Sequence, residues 1–127
     1  MINKHDITGL ILAGGLGTRM GQRDKGMLPL HGQPLARHVL QRLAPQVGPL
    51  AISVHADAGE YARFGVPVWP DALPGQLGPL AGLHSGMQHA GTPYLLTVPC
   101  DSPQLPPDLA ARLAAGLVEN DADLAIA

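Results

Sequence analysis

Short apolar runs alternate along the chain with segments whose apolar residues lie three or four positions apart. A short apolar run bounded by glycine or proline is typical of a buried strand, whereas a spacing of three or four indicates one face of a helix. The runs therefore predict strands at residues 7–12, 50–54, 66–69 and 94–98, and residues 124–127 predict the beginning of a fifth strand.

Three segments with helical spacing separate these runs. The first helix is predicted to open at Pro34, because proline suits the first position of a helix, and to end at Pro45, because proline cannot continue one. The second occupies residues 80–90. The third starts at the Pro106-Pro107 pair and continues to about residue 119.

This alternation of strands and helices predicts an α/β fold. Strand–helix–strand units joined by right-handed crossovers give a mostly parallel sheet with helices on both faces, which is a three-layer αβα sandwich. Ligands of such sheets bind at the carboxyl ends of the strands. The residues that directly follow the predicted strands are therefore the first candidates for a functional site.

Composition narrows the class of protein. A chain of 127 residues is one domain, and its 46% hydrophobic content with only 3% aromatic residues predicts a core of Leu, Val, Ile and Ala. The formal net charge of −2 gives no basic surface for nucleic acid or an anionic membrane, and no apolar segment has the length of a membrane span. Cys100 is the only cysteine, which excludes an intrachain disulfide and fits a cytoplasmic protein.

The segment after the first predicted strand carries the strongest chemical pattern in the chain. Glycine lets backbone N–H groups approach a phosphate closely, and nearby cations can neutralise a polyphosphate. The pattern predicts a nucleoside triphosphate site, with a glycine-rich turn bearing solvated basic side chains as the alternative. Five glycines and two basic residues form it: Gly14, Gly15, Gly17, Gly21 and Gly26, with Arg19 and Lys25.

Two common phosphate-binding loops do not match this segment. A P-loop needs G-x-x-x-x-G-K-[ST], whereas Lys25 follows Asp24 and precedes Gly26. A dinucleotide fingerprint needs G-x-G-x-x-G, and its third glycine would fall on Met20. The segment therefore matches neither of these two common loops.

Two carboxylates follow predicted strands at the same edge of the sheet. Asp71 comes after the third strand and Asp101 after the fourth. A carboxylate beside a triphosphate commonly binds Mg²⁺, which prefers oxygen ligands. Asp101 is the better candidate metal ligand, because Pro99 and Pro103 on either side restrict its backbone. A turn or helix-capping carboxylate is the alternative for both residues.

Gly78 and Gly82 flank the start of the second predicted helix. Backbone N–H groups at such a start can bind a base or a phosphate. An ordinary helix N-terminus is the alternative, and this segment alone does not decide between the two.

Together these motifs resemble the molybdenum cofactor guanylyltransferases, which belong to a wider group of nucleotidyltransferases with a Rossmann-like fold. The first motif is Leu12-Ala-Gly-Gly-x-x-x-Arg-Met-Gly-x-x-Asp-Lys-Gly26. Residues 32–35 (Gly-x-Pro-Leu), 78–82 (Gly-Pro-Leu-Ala-Gly) and 99–103 (Pro-Cys-Asp-x-Pro) resemble later motifs of the family, in order and at compatible spacing. The resemblance covers essentially the whole chain and implies a Rossmann-like three-layer αβα sandwich.

The resemblance also implies a reaction, in which GMP passes from GTP to molybdopterin-bound molybdenum cofactor and pyrophosphate is released. Arg19 and Lys25 would neutralise the phosphates, and Asp101 would bind Mg²⁺ as well as the nucleotide. Proteins of cofactor maturation are expected as further partners. Lys25 would also contact the nucleotide. The same role is implied for Leu12, Ala13, Gly14, Gly15, Ser53, Asp71, Gly78 and Gly82.

The chain departs from the family pattern in three places. Ser53-Val54-His55 stands where the family usually has an asparagine-rich segment, and Gln22 replaces a common glycine. Family members also continue past this length, so residues 1–127 are expected to be the N-terminal, nucleotide-binding part of the family fold. A related transferase using CTP or a sugar-phosphate acceptor, and a nucleotide-binding fragment without catalysis, are the alternatives.

Overall fold

A parallel sheet forms the centre of the molecule, as the sequence pattern predicts. The computed structural model describes residues 2–13, 25–54, 59–70 and 79–126. The strands within those ranges are β1 (Ile7–Leu12), β2 (Pro29–Leu30), β3 (Gln33–Pro34), β4 (Leu50–Val54), β5 (Val68–Pro70) and β6 (Tyr94–Pro99). β5, β4, β1 and β6 lie side by side in that order, with every pairing parallel, while β2 and β3 form a short antiparallel ribbon.

Three helices cover the two faces of this sheet: α1 (Leu35–Leu43), α2 (Pro79–His89) and α3 (Leu109–Glu119). Successive side chains of a strand point to opposite faces. A β-carbon on Gly9 would meet Leu43 of α1, whereas Leu10 lies against α2. The helices therefore form the outer layers of a three-layer αβα sandwich, and the predicted fold class is confirmed.

The core on the α1 side is built from the apolar stripe of that helix. Ala36, Val39, Leu40 and Leu43 recur at intervals of three and four and are all buried. Gly9 lets this stripe approach β1, since a β-carbon there would lie 2.9 Å from Val47 Cγ2 and 3.0 Å from Leu43 Cδ2.

Helix α3 joins the same side of the sheet through Gln46, which lies just after α1. The Gln46 side-chain oxygen accepts a hydrogen bond from the Ala110 N–H at 2.9 Å, and its amide nitrogen donates to the Pro106 carbonyl at 2.9 Å. Ala110 packs into the core that also contains the α1 stripe.

The start of α3 differs from the prediction. The helix begins at Leu109, with Asp108 as its N-cap, and Pro106 and Pro107 lie in the preceding turn. The residue before a proline is disfavoured in helical conformation, and this restriction keeps Pro106 out of the helix. The Leu109 N–H still donates to the Pro106 carbonyl, at 3.2 Å.

The predicted fifth strand is wrong for the residues that the structure describes. Residues 124–126 have no regular structure, and the side chains of Leu124 and Ile126 are 73% and 85% exposed. A strand needs a neighbour to complete its hydrogen bonds, and no described strand pairs with this segment. The other strands and helices that the sequence predicts agree with the structure to within two residues at each end.

In the parts of the chain described above, no helix has both the length and the apolar composition needed to cross a bilayer.

Candidate functional site

The carboxyl ends of the four parallel strands lie in one row. Leu12 of β1 is in register with Ser53 of β4 on one side and with Pro99 of β6 on the other. Ser53 is in turn in register with Trp69 of β5. The four strands therefore end at the same edge of the sheet, and α/β sheets bind ligands at this edge.

The hydrogen-bond ladder continues past the strand ends. The Ala13 N–H donates to the Ser53 carbonyl at 2.8 Å, and the Cys100 N–H donates to the Leu12 carbonyl at 3.0 Å. These bonds fix the backbone at the point where the glycine-rich segment begins and at the residue before Asp101. The structure thus brings the start of the first motif beside the exposed Asp101.

Gly82 packs directly on the ends of β1 and β4. A β-carbon on Gly82 would lie 2.7 Å from Leu12 Cδ2 and 2.9 Å from Ser53 Oγ, so no larger residue fits without movement. Three residues predicted to contact a nucleotide, Leu12, Ser53 and Gly82, are therefore in mutual contact. Ser53 is only 2% exposed and lies beneath the first turns of α2.

Gly86 repeats this arrangement one turn further along α2. A β-carbon there would lie 3.0 Å from Leu95 Cδ2 and would also meet Leu10 Cδ2. The two glycines let the helix rest closely on the sheet. Sequence reasoning singled out Gly82 but missed Gly86, although their spacing of four places both on one helix face.

The end of β5 is anchored against the same helix. The Trp69 ring stacks on the His89 ring, with centroids 5.1 Å apart, and the Ser85 hydroxyl donates to the Pro70 carbonyl at 3.4 Å. The His89 Nδ1–H donates in turn to the Ser85 carbonyl at 2.8 Å. These contacts hold the strand immediately before Asp71.

Lys25 lies in the short 3-10 turn Lys25–Met27, which packs against the residue that follows β6. Lys25 is exposed, while Gly26 is buried. A β-carbon on Gly26 would lie 3.0 Å from Cys100 Sγ and 3.1 Å from Cys100 Cβ. The structure therefore brings together the segments that carry Lys25 and Asp101, which are far apart in the sequence.

Tyr61 completes this contact and was missed by sequence reasoning. It belongs to the 3-10 segment Gly59–Phe64, is 4% exposed, and its hydroxyl would clash with a β-carbon on Gly26. No motif surrounds it. Its only sequence signal is that it is one of two tyrosines in a chain poor in aromatic residues.

Five of the predicted site residues lie outside the described residues: Gly14, Gly15, Arg19, Asp71 and Gly78. The roles of these residues, and of the predicted site residues that the structure describes, stay predictions.

The donor set of the site fits a magnesium ion that binds together with a nucleotide. In the described ranges no three His, Cys, Asp or Glu side chains are grouped to hold a metal. Mg²⁺ is commonly held by one or two carboxylates, with waters and substrate phosphates as its other ligands. The exposed carboxylate of Asp101 at the strand edge suits this mode of binding.

Comparison with solved structures agrees with the observed architecture. A CMP:2-keto-3-deoxy-manno-octonic acid synthetase complexed with CTP aligns over 91% of this chain and 48% of its own, with a TM-score of 0.73 and 19% identity. Molybdopterin-guanine dinucleotide biosynthesis protein A from Archaeoglobus fulgidus aligns over 88% of this chain and 56% of its own, with a TM-score of 0.68 and 24% identity. At these identities the likeness shows the fold alone.

Sequence comparison gives the family. A molybdenum cofactor guanylyltransferase of Acidovorax sp. (strain JS42) is 57% identical over 127 residues, which are all of this chain and 60% of the relative. The chain thus spans about three fifths of that curated relative's length. Residues 9–127 match the family described as the MobA-like NTP transferase domain. The resemblance found in the motifs is confirmed, and the chain belongs to the family of MobA-like NTP transferase domains.

Proposed function

We propose that this chain is the nucleotide-binding part of an enzyme that transfers GMP from GTP to molybdopterin-bound molybdenum cofactor. The observation that carries the proposal is the convergence of Leu12, Gly82 and Asp101 with the Lys25 turn at one edge of the sheet. The guanylyltransferase names of relatives more than 50% identical to the chain support the same reaction. Residues 1–127 would form the N-terminal part of such a protein.

The reaction is an in-line displacement at phosphorus. A terminal phosphate oxygen of the acceptor attacks the α-phosphorus of GTP, the bond from that phosphorus to the bridging oxygen breaks, and pyrophosphate leaves. Such a reaction needs positioning and neutralisation of charge more than covalent participation by the protein. Lys25 and Arg19 would supply the positive charge, and an exposed lysine on a well-packed turn suits that role.

Asp101 would hold Mg²⁺ at the exposed edge of the sheet. The bound ion would neutralise the charge of the phosphate oxygens. The ladder bond from the Cys100 N–H to Leu12 fixes the backbone immediately before this carboxylate. The backbone of Asp101 is therefore held at the edge of the sheet, while its side chain is open to solvent.

The nucleotide would lie across the ends of β1 and β4. Ala13 starts the glycine-rich segment there, and the absence of a side chain on Gly82 keeps α2 close to the ends of β1 and β4. Ser53 would contribute to the nucleotide site from the sheet side of α2, where it packs against Gly82. The remaining contacts belong to Gly14, Gly15, Asp71 and Gly78. GTP and the molybdenum cofactor are the proposed substrates, cofactor-maturation proteins the proposed partners, and the cytoplasm the proposed location.

Calorimetric titration of the chain with GTP and CTP in the presence of MgCl₂ tests the nucleotide. We expect GTP to bind and CTP to bind at least about tenfold more weakly, a ratio that about 1.4 kcal/mol of differential hydrogen bonding supplies. Binding of CTP without GTP would contradict the proposal and favour a related cytidylyltransferase.

Release of pyrophosphate tests the transfer step. We expect release to require both GTP and molybdopterin-bound molybdenum cofactor. Tight GTP binding without pyrophosphate release would reduce the chain to a nucleotide-binding fragment.

A further inference from the structure

Three segments that are distant in sequence meet at Gly26. They are the turn Lys25–Met27, the segment Gly59–Phe64 and Cys100, directly after β6. A β-carbon on Gly26 would lie 3.0 Å from Cys100 Sγ and would also meet the Tyr61 hydroxyl. Tyr61 and Cys100 are 4% and 8% exposed, so this contact, hereafter the Gly26 junction, is buried.

The Gly26 junction lies one peptide bond from each of two exposed residues of the proposed site. Lys25 precedes Gly26, and Asp101 follows Cys100. A lysine ammonium and a carboxylate in water do not hold one another in a fixed geometry, because solvent screens an exposed pair. The buried packing between their neighbours sets the spacing of the two backbones instead.

Tyr61 is itself held in place. Its ring meets the Phe64 ring edge to face, with centroids 5.6 Å apart, and the Arg37 guanidinium of α1 lies 4.5 Å from the centroid of the Phe64 ring. Burial and these ring contacts restrict movement of Tyr61 away from position 26. The tyrosine hydroxyl therefore limits how closely the turn Lys25–Met27 can approach.

We infer that Tyr61 is a positioning residue, which sets the distance between Lys25 and Asp101 through the Gly26 junction. The inference rests on the proposed function, in which Lys25 meets phosphates and Asp101 binds Mg²⁺. It goes beyond that function because Tyr61 belongs to none of the motifs that suggested it. Tyr61 acts on the nucleotide only indirectly, through the backbones of Gly26 and Cys100.

A compensation experiment tests the inference. Gly26→Ala inserts a methyl group at the junction, and we expect it to lower the affinity for GTP with Mg²⁺, and the rate of transfer, by about 10- to 100-fold, since displacements of about 1 Å have effects of that order. Tyr61→Phe removes the hydroxyl that the methyl group meets. The double variant Gly26→Ala/Tyr61→Phe should recover at least about half of the loss, expressed in free energy.

A matched control separates positioning from general loss of stability. Gly86→Ala also inserts a methyl group where space is lacking, but against Leu10 and Leu95 on the other face of the sheet. We expect Tyr61→Phe to give no recovery in the Gly86→Ala background. Thermal unfolding of every variant identifies any change in affinity that comes from unfolding.

Three results would overturn the inference. In the first, Gly26→Ala binds GTP with the same affinity as the original chain. In the second, the affinity for GTP is lowered equally in Gly26→Ala and in Gly26→Ala/Tyr61→Phe while both variants remain folded. The third, equal recovery of Gly26→Ala and Gly86→Ala by Tyr61→Phe, would assign the effect to stability alone. If the original chain bound neither GTP nor CTP, the proposed function would be overturned, and the inference with it.

Discussion

Gly82 and Ser53 are so close that a β-carbon on the glycine would lie 2.9 Å from the serine hydroxyl oxygen. Ser53 is buried and its hydroxyl lies one carbon from the backbone of β4, so it has less room to move away than the end of a long side chain. The first turns of α2 therefore sit at a fixed height above the ends of β1 and β4. This spacing is the basis of the first prediction.

Gly82→Ala should raise α2 from the sheet and weaken nucleotide binding. We expect a loss of about 1–2 kcal/mol in the free energy of unfolding, because overpacking costs more than alanine gains in helix propensity. Urea denaturation measures the stability, and calorimetric titration with GTP measures the affinity. Stability and affinity both equal to those of the original chain would show that the contact with Ser53 is not limiting.

Gly116→Ala in α3 should have the opposite effect on stability. A β-carbon on Gly116 would meet no heavy atom within 4 Å, and the residue lies inside the helix Leu109–Glu119. Replacing glycine by alanine inside a helix stabilises it by about 0.5–1 kcal/mol. Urea denaturation should show this gain in stability, and calorimetric titration should show unchanged GTP affinity. The variant is therefore a control for glycine replacement within a helix, to be compared with Gly82→Ala. A loss of stability would contradict the open space at position 116.

Lys25→Ala should weaken GTP binding without weakening the fold. A hydrogen bond to a charged group contributes about 1.5–3 kcal/mol, which corresponds to roughly a 10- to 100-fold change in Kd. Lys25 is exposed, so the unfolding midpoint should hardly change. Lys4→Ala is the control, because Lys4 is also exposed but lies before the amino end of β1. Equal affinities of the two variants would remove Lys25 from the phosphate site.

Asp101→Asn should remove the dependence of turnover on Mg²⁺. The substitution keeps the size of the side chain and removes the charge that binds the ion, so we expect turnover to fall by about 100-fold or more. Stability should be unchanged, since Asp101 is exposed. Asp123→Asn, at another exposed carboxylate, should behave as the original chain. A Mg²⁺ titration of pyrophosphate release distinguishes the two, and an unchanged titration in Asp101→Asn would exclude this carboxylate as the metal ligand.

The sequence predicted the main sheet well because its strands carry an unambiguous pattern. β1 and β4 are buried on both faces, and apart from Thr8 and Gly9 in β1 and Ser53 in β4 all their residues are apolar. β2 and β3 escaped prediction because two residues are too few for any periodicity. The predicted start of α3 was wrong because adjacent prolines favour a turn before the helix and not its first position.

The candidate site was predicted as a set of segments and not as a set of contacts. Glycine-rich motifs pointed to Gly26 and Gly82, but the reason for each glycine is space that only the folded chain defines. Tyr61 could not be predicted, since its contact with the Gly26 junction depends on how three remote segments pack. Sequence spacing likewise gave no measure of the burial of Ser53.

The two backbone bonds that extend the ladder, from Ala13 to Ser53 and from Cys100 to Leu12, have a consequence for folding. Each bond joins segments at least 40 residues apart in the sequence, so neither can form from a local stretch of chain. Closing such long loops costs chain entropy, which the pairing of the strands has to offset. The edge where the strands end therefore forms together with the sheet. A nucleotide that binds at this edge should therefore slow amide exchange throughout the four strands.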